Sequence, residues 1–553
     1  MIKKLIRFSA ENKYLVLALY AVAIAIAIGS LKRLPLDAIP DLSDTQVIIF
    51  SRWDRSPDII EDQVTYPIVT SLLGAPQVKT IRGFSDFGFS YVYVIFEDGT
   101  DLYWARSRVL EYLSKIQGRL PEGVQTELGP DATGVGWVFQ YALVDESGKN
   151  SIDELRSYQD WFLRYAVQSV PGVAEVATVG GFVRQYQVTV DPNRLSALGL
   201  SLEQVSMAIR KGNSEVGGRL IEFGGREYMV RGRGYIKNVD DLGKIVVSGN
   251  EKGVPILVRD VGQVALGPDI RRGVADLDGK GDTVGGIVVM RSGENALTVI
   301  ERVKKRLKEI EPGLPEGVKV VTTYDRSELI EKSIDALKGK LIEEMIIVSI
   351  VILIFLWHFP SAIIPILTIP ISVLLAFIPL ELMGVNVNIM SLGGIAISIG
   401  VLVDGAIVEV ENAYKKLQLW DAEGRPGDFH QIRLNALLEV GPGVFFSLLV
   451  VAVSFLPIFT LVDQEGRLFK PLAYSKNMAM ALAAFLAVTL DPALRMMFAR
   501  MDPFTFKPKP LAWLASKLFV GRYYAEERHP VSRVLFRIYD PVCRAVLRHP
   551  YVT

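Results

Sequence analysis

Three carboxylates sit in one otherwise apolar run, Ser398-Ile399-Gly400-Val401-Leu402-Val403-Asp404-Gly405-Ala406-Ile407-Val408-Glu409-Val410-Glu411-Asn412. An Asp at the centre of a membrane helix costs about 2.5–3.5 kcal/mol on insertion scales, so such residues need a reason to be there. A carboxyl withdrawn from water can be tuned to bind and release a proton near neutral pH, the chemistry of a proton relay. Asp404 and Glu411 are the candidates for that role. A rise of 1.5 Å per residue puts Asp404 about 25 Å from Val387, in the inner half of a bilayer, with Glu411 about two turns further on. Met390, Asp404 and Glu411 share one stripe, because seven residues is close to two turns. The alternative for Asp404 is a structural carboxylate bonded to a neighbouring helix. For Glu411-Asn412 it is a cap on the bundle at the membrane interface.

The rest of the composition narrows the chemistry. The chain has 553 residues, 50% of them apolar, a formal net charge of +0 and a mean hydropathy of +0.28. Positive hydropathy argues against a purely soluble protein, and neutrality gives no support for nucleic acid as a partner. The single cysteine, Cys543, excludes an intramolecular disulfide framework and any Cys-rich metal site. His358, His430, His529 and His549 are scattered and never spaced like a zinc site. There is no GxxxxGK[ST], so energy for any work comes from elsewhere than a Walker-type ATPase in this chain. No nucleophile–base constellation appears, which makes an enzyme the weakest reading.

The elements that hold these residues read as membrane helices around a large α/β insert. A first span, Tyr14 to Ser30, follows Lys3, Lys4, Arg7 and Lys13; alone it could be a signal peptide, but the later spans favour a retained helix. Those later spans are Leu341 to Phe359, Ala362 to Met383, Val387 to Asn412, Leu437 to Leu461 and Leu472 to Phe498, each near the ~20 residues needed to cross a bilayer. Between Leu31 and Lys340 the pattern changes. Ser90 to Glu97 alternates like a strand, Asp98-Gly99 reads as a turn, and Tyr103 to Gln117 has helical spacing. Ala75-Pro76-Gln77-Val78, leading to Tyr91-Val92-Tyr93-Val94, is echoed by Val170-Pro171-Gly172-Val173, leading to Tyr186-Gln187-Val188. Two tandem copies of one small unit would produce that echo. Lys3, Lys4 and Arg7 place the N-terminus in the cytoplasm. Lys415-Lys416 and Arg495, Arg500, Lys507 and Lys509 follow the fourth and sixth spans in agreement. The insert is then outside, between the first and second spans; for a bacterial protein, that means the periplasm. Trp513 to Phe519 and Val531 to Leu547 read as cytoplasmic helices. His549-Pro550-Tyr551-Val552-Thr553 resembles the approach to the first span, as if a seventh were about to begin and the chain were the first half of a duplicated transporter.

Specific motifs go further. Pro40-Asp41-Leu42-Ser43-Asp44, Asp62-Gln63-Val64-Thr65-Tyr66-Pro67, Arg82-Gly83-Phe84-Ser85, Tyr91 to Thr100, Gly129-Pro130-Asp131-Ala132-Thr133-Gly134-Val135-Gly136-Trp137 and Asn388 to Gly394 resemble the resistance-nodulation-division superfamily. The resemblance is to its heavy-metal efflux branch, nearest the copper/silver members, and covers essentially the whole chain. It implies a polytopic α-helical membrane protein with a periplasmic α+β insert of ferredoxin-like porter and docking parts. The expected divisions are 1–30 for the N-terminus and first span, 31–135 for one porter subdomain, and 136–180 with 275–338 for a second. Residues 181–274 would be the docking subdomain, 341–500 the remaining five spans, and 501–553 cytoplasmic helices.

The resemblance also implies function: proton-driven export of Cu(I), Ag(I) or a related cation. It implies a homotrimer, with a periplasmic adaptor (membrane fusion) protein and an outer-membrane channel as partners and lipid around it. No permanently bound cofactor is expected; the metal ion is substrate and the proton-motive force the energy source. Asp404 resembles the fourth-helix relay aspartate, whose lysine partner belongs to the second half. Met390 and Met480 match positions on a proposed methionine path for soft metal, although lone membrane methionines are ordinarily packing residues. Met207, Met229 and Met290 of the insert are widely separated and form no recognisable metal site. The alternatives are divalent cations such as nickel, cobalt or zinc, amphipathic organic compounds, or a non-transporting assembly subunit.

The sequence also departs from its relatives. Copper/silver members have methionines at the positions of Leu402, Glu409 and Arg495, and divalent-ion members have an aspartate at that of Ser398. Ser398, Leu402 and Glu409 share one helical stripe. Glu409 and Arg495 lie near the cytoplasmic ends of two inward-running helices, so an intramembrane Glu409–Arg495 ion pair is expected. Its alternative is an Arg495 that snorkels to lipid headgroups.

Overall fold

The membrane-length segments are predominantly apolar, and they fold as long helices. The structure, a computed structural model, describes residues 1–249, 253–271, 273–356, 358–499, 505, 509, 513, 516, 520 and 530–553. Helix α1 (Ile2–Glu11) buries Ile6, Ser9 and Ala10 and leaves Lys3, Lys4 and Arg7 exposed, the arrangement of a helix lying in a membrane interface. It breaks at Asn12 into α2 (Lys13–Arg33). After the insert come α3 (Arg326–Leu356), α4 (Phe359–Leu382), α5 (Ile389–Ala422), α6 (Phe429–Ser454), α7 (Asp463–Val488) and α8 (Leu490–Phe498).

Among the described residues, 5 helices are long and apolar enough to cross a membrane: α2, α4, α5, α6 with its extension to Thr460, and α7. Two expected spans differ. The second, Leu341 to Phe359, is the end of α3, which starts at Arg326 and carries Glu343 and Glu344 into its apolar part. Hydropathy sees only the apolar end of such a helix, whereas the stretch before it, with helix-forming Glu, Lys and Leu, continues the same hydrogen-bond ladder. The expected sixth span, Leu472 to Phe498, is broken at Thr489 (φ −125°, ψ −67°) into α7 and α8. The Trp513 to Phe519 helix lies mostly outside the described residues, as do Arg500 and Lys507, while Pro530–Arg548 is helical.

The bundle packs through an apolar core that includes Ile395, Ile399, Leu402, Val444, Met480 and Ala484. Small residues let the backbones approach: a Cβ at Gly394 would lie 2.4 Å from the Leu472 carbonyl oxygen and 2.4 Å from Ser475 Oγ. Gly394→Val is therefore expected to force α5 from α7 at a cost of about 1–3 kcal/mol. The check is detergent-phase thermal unfolding; an unchanged midpoint and yield would refute the close crossing.

The chain forms two compact units. One comprises Met1–Val138, Met290–Glu301 and Asp325–Thr553, the other Phe139–Val289 and Arg302–Tyr324. Outside the membrane, the first unit holds strands β1 (Gln46–Arg52), β2 (Val78–Asp86), β3 (Phe89–Phe96) and β4 (Gln125–Leu128) in the antiparallel order β2-β3-β1-β4. Alternate residues of β3, Val92, Val94 and Phe96, enter a core with Val47, Ile49, Ile68 and Val109. The helix Leu102–Ile116 packs there, and Asp101 caps it by accepting a hydrogen bond from the Trp104 N–H. Gly99 (φ +85°) makes the expected turn before it.

The sheet of the second unit has the strand order 318–325, 137–145, 284–290, 173–180. That is the order of the first sheet with corresponding elements: fourth, first, third, second. The echo in the sequence is thus half correct. Val173–Gly180 corresponds to β2, but the counterpart of β3 is Val284–Met290, not the strand Arg184–Val190. The latter pairs with Gly262–Pro268 in a separate two-stranded sheet. Gly180 (φ +74°) and Gly181 (φ +58°) turn the chain out at this point, and a Cβ at Gly180 would fall 2.0 Å from the Thr283 carbonyl oxygen.

Candidate functional site in the helix bundle

Helix α5 carries the candidate carboxylates, and its start is fixed by a capping box. Asn388 Oδ1 accepts from the N–H groups of Met390 and Ser391 at 3.0 and 3.1 Å, and Ser391 Oγ accepts from the Asn388 N–H at 2.8 Å. The helix then runs without a break to Ala422, well past the Asn412 at which the span was expected to end.

Two stripes of α5 have opposite surroundings. Ser398, Leu402 and Glu409 are all buried against the bundle, at 0%, 3% and 3% exposure. Met390 and Glu411 are only part-buried and Asp404 is exposed, so the stripe that holds the expected relay faces away from this half of the bundle. Asp404 is therefore not the buried carboxylate of the set; Glu409 is. Glu411, the other candidate, is not isolated on the helix. It pairs with Lys415 at 2.7 Å, one helical turn on, with both side chains about half exposed (46% and 47%). Its neighbour Asn412 ties α5 to α6 through a hydrogen bond from Nδ2 to the Ala436 carbonyl at 3.0 Å.

The expected Glu409–Arg495 pair is not formed. Arg495 Nε donates instead to Asp491 Oδ2 at 2.8 Å, with the two side chains 5% and 4% exposed. The reason is geometric: residues four apart on one helix are already neighbours, whereas a cross-helix pair must be ordered at extra cost. The Glu409 carboxyl lies against that of Asp491. Its Oε1, and Nη2 of Arg495, are buried without a hydrogen-bond partner. Beside them is a cavity of about 20 Å³, lined by Thr368, Ser372, Leu402, Val444, Glu409 and Asp491 among others. Sequence reasoning passed over Asp491, although its signal was present: an acid four residues before an arginine in an apolar run. It also passed over Lys476 of α7, which is 2% exposed with its ammonium over the Phe455 ring.

The C-terminal carbonyls of α8 are held by cations. Lys13 Nζ donates to Met496 O at 3.3 Å, and Arg433 Nη1 to Ala499 O at 3.0 Å. At the opposite end of the bundle, the N-terminal end of α7 is tied to the β1–β4 sheet and its flanking loops. Arg467 Nη2 donates to Asp44 Oδ1 at 2.9 Å and also to Asp98, while Lys79 pairs with Asp463. The Arg467 hydrogen bond holds the Asp98 carboxyl below the usual carboxylate range, against the opposing effect of its partial burial.

Among the described residues no group of 3 or more His, Cys, Asp and Glu is placed to hold a metal ion. Met480 is fully buried in the apolar core, and Met345 of α3 packs against that core; Met390 lies part-buried in the first turn of α5.

The model of the AcrB/AcrD/AcrF family matches residues 5–553. The chain belongs to this family. It is 50% identical to the cation efflux system protein CusA of Escherichia coli (strain K12), over 100% of this chain and 52% of that protein. It is 49% identical to the putative cation efflux system protein SilA of Salmonella typhimurium, over 100% of this chain and 51% of that one. The cobalt-zinc-cadmium resistance protein CzcA of Cupriavidus metallidurans is 35% identical, with 100% and 51% covered. A crystal structure of a heavy metal efflux pump superposes with a TM-score of 0.79 at 32% identity, over 93% of this chain and 49% of that one. The chain spans about half the length of the relatives it matches. The AcrB/AcrD/AcrF family sits in the resistance-nodulation-division superfamily that the motifs resemble. The chain has that fold, as a multi-pass protein of the inner membrane with a large extra-membrane part.

Proposed function

We propose that the complete protein is a proton-driven exporter of heavy-metal cations, with Cu(I) and Ag(I) as cargo, and that this chain is its first half. The observation that carries the reading is the position of Asp404. It stands exposed on the outward stripe of α5, in a helix long and apolar enough to span a membrane. A carboxylate at that depth does not face lipid; it faces protein or a water-filled path. A second bundle packed on this stripe would place Asp404 at the interface between the halves, where a proton can be taken up from one side and released to the other. Likeness to CusA and SilA, named as cation efflux proteins, supports the cargo class.

In this reading the two four-stranded units are the porter subdomains, near 31–135 and 136–180 with 275–338, and residues 181–274 form the docking part. The partners are two further copies, a periplasmic adaptor and an outer-membrane channel. The metal is substrate, with no cofactor permanently bound. A second reading has support from Glu409, Asp491 and Arg495. Charge on the inward stripe interrupts a soft-metal path there, which favours loading of Cu(I) or Ag(I) from the periplasm, or a harder divalent cargo.

The complete pump in liposomes is expected to move Ag(I) or Cu(I) when a pH gradient is imposed and to stop when an uncoupler collapses it. This chain alone is expected to move neither. Transport indifferent to the gradient, or transport of organic compounds without metal, overturns the proposal.

A further inference from the structure

We propose that Glu409, Asp491 and Arg495 form a second proton-binding site, distinct from Asp404, inside this half of the bundle. Asp404 and Glu409 are five residues apart, which rotates them about 140° around α5. One faces out of the bundle and the other is 97% withdrawn from solvent, at 3% exposure.

The charges do not balance without a proton. Two carboxyls and one guanidinium meet, and every other wall of the cavity is uncharged. Helix α4 contributes Thr368 and Ser372, α6 contributes Val444 and Leu448, and α7 contributes Ala483 and Ala487. At Gly441 of α6, beside Glu409, the nearest side chain from α1 is the apolar Ile6. The charged groups that face Glu409 are therefore Asp491 and Arg495. With both carboxyls ionised, one buried negative charge is left without a counterion, the arrangement that apolar interiors tolerate least. One proton shared by the two carboxyls neutralises the cluster, and two acids in contact do not both ionise readily.

The unmade hydrogen bonds show where the proton goes. Asp491 already accepts from Arg495 Nε, and Glu409 lies against Asp491. Glu409 Oε1 and Arg495 Nη2 remain without partners, one an acceptor and the other a donor. When Glu409 gives its proton to a water in the adjoining cavity, of about 20 Å³, its carboxylate loses its reason to stay on Asp491 and gains one to accept from Arg495 Nη2. That cavity has room for about one water. Protonation thus selects between two partners of Glu409, the contact with Asp491 formed in this structure and a hydrogen bond from Arg495.

Infrared spectroscopy of the complete protein reads the proton directly, through the C=O band of a protonated carboxyl. At pH 7 the wild type minus Glu409→Gln spectrum is expected to show one such band. Asp491→Asn is expected to lose the same band, because Glu409 then ionises against Arg495. Arg495→Met is expected to raise it about twofold, since removing the guanidinium leaves both acids neutral. Asp404→Asn is expected to leave it in place. Absence of the band in the wild type, or its persistence in Glu409→Gln, overturns the site. The proposed transport is needed for the use of this proton and not for its presence. Gradient-driven transport without the band would therefore sink this site alone.

Discussion

In the complete protein, Asp404→Asn is expected to abolish gradient-driven metal export, with flux falling about a hundredfold or more while the protein still folds. Asparagine keeps the shape and hydrogen-bonding reach of aspartate but exchanges no proton, so the substitution removes only the chemistry. Folding is expected to survive because asparagine preserves the size of the side chain and Asp404 takes no part in the packing of this half of the bundle. Two measurements decide it: metal resistance at matched expression, and flux in liposomes under an imposed pH gradient. Wild-type resistance would remove Asp404 from the relay. Loss of both flux and thermal stability would mean that the residue is structural.

Arg326→Met is expected to destabilise the protein by about 3–5 kcal/mol, the largest effect on folding foreseen for a single side chain here. Arg326 is the first residue of α3 and its side chain is 6% exposed. It donates to Asp37 Oδ1 at 2.9 Å and to the Val135 carbonyl, so one guanidinium joins three remote parts of the chain. Its removal leaves the Asp37 carboxylate, 17% exposed, without its cation, and a carbonyl without a donor. Asp37→Asn in the same protein is expected to recover part of the loss, because the orphaned charge is then gone. Denaturant titration of wild type, both single variants and the double variant gives the coupling energy. Strict additivity would show that the pair contributes nothing.

Much of this architecture is legible in the sequence because its signals are local. The alternation from Tyr91 to Phe96, the Asp98-Gly99 turn and the helix after Asp101 appear where the periodicity places them, within about one residue. Patterns that depend on tertiary contact are not legible in this way. Asp404 and Glu409 stand in the same apolar run with equal claims to burial, and only packing on α6, α7 and α8 decides that Glu409 is enclosed and Asp404 is not. Glu411 looks costly in a membrane helix until Lys415 is seen one turn away. The sequence matches Arg495 to a carboxylate on another helix, but a nearer acid on its own helix, Asp491, takes the bond. The second four-stranded sheet is obscured by an insertion between two of its strands, so that the strand next in sequence is not the strand next in space.

Helix α3 has one more consequence. Its 31 residues run unbroken from Arg326 to Leu356, a rod of about 46 Å. A tilt of about 10° at its apolar end would swing the other end by about 8 Å, more than twice the reach of a hydrogen bond. Arg326 sits at that far end, gripping Asp37 and the Val135 backbone. The helix is thus geared as a crank, in which an angular change too small to break the bundle becomes a stroke long enough to drag the segments clamped to its tip.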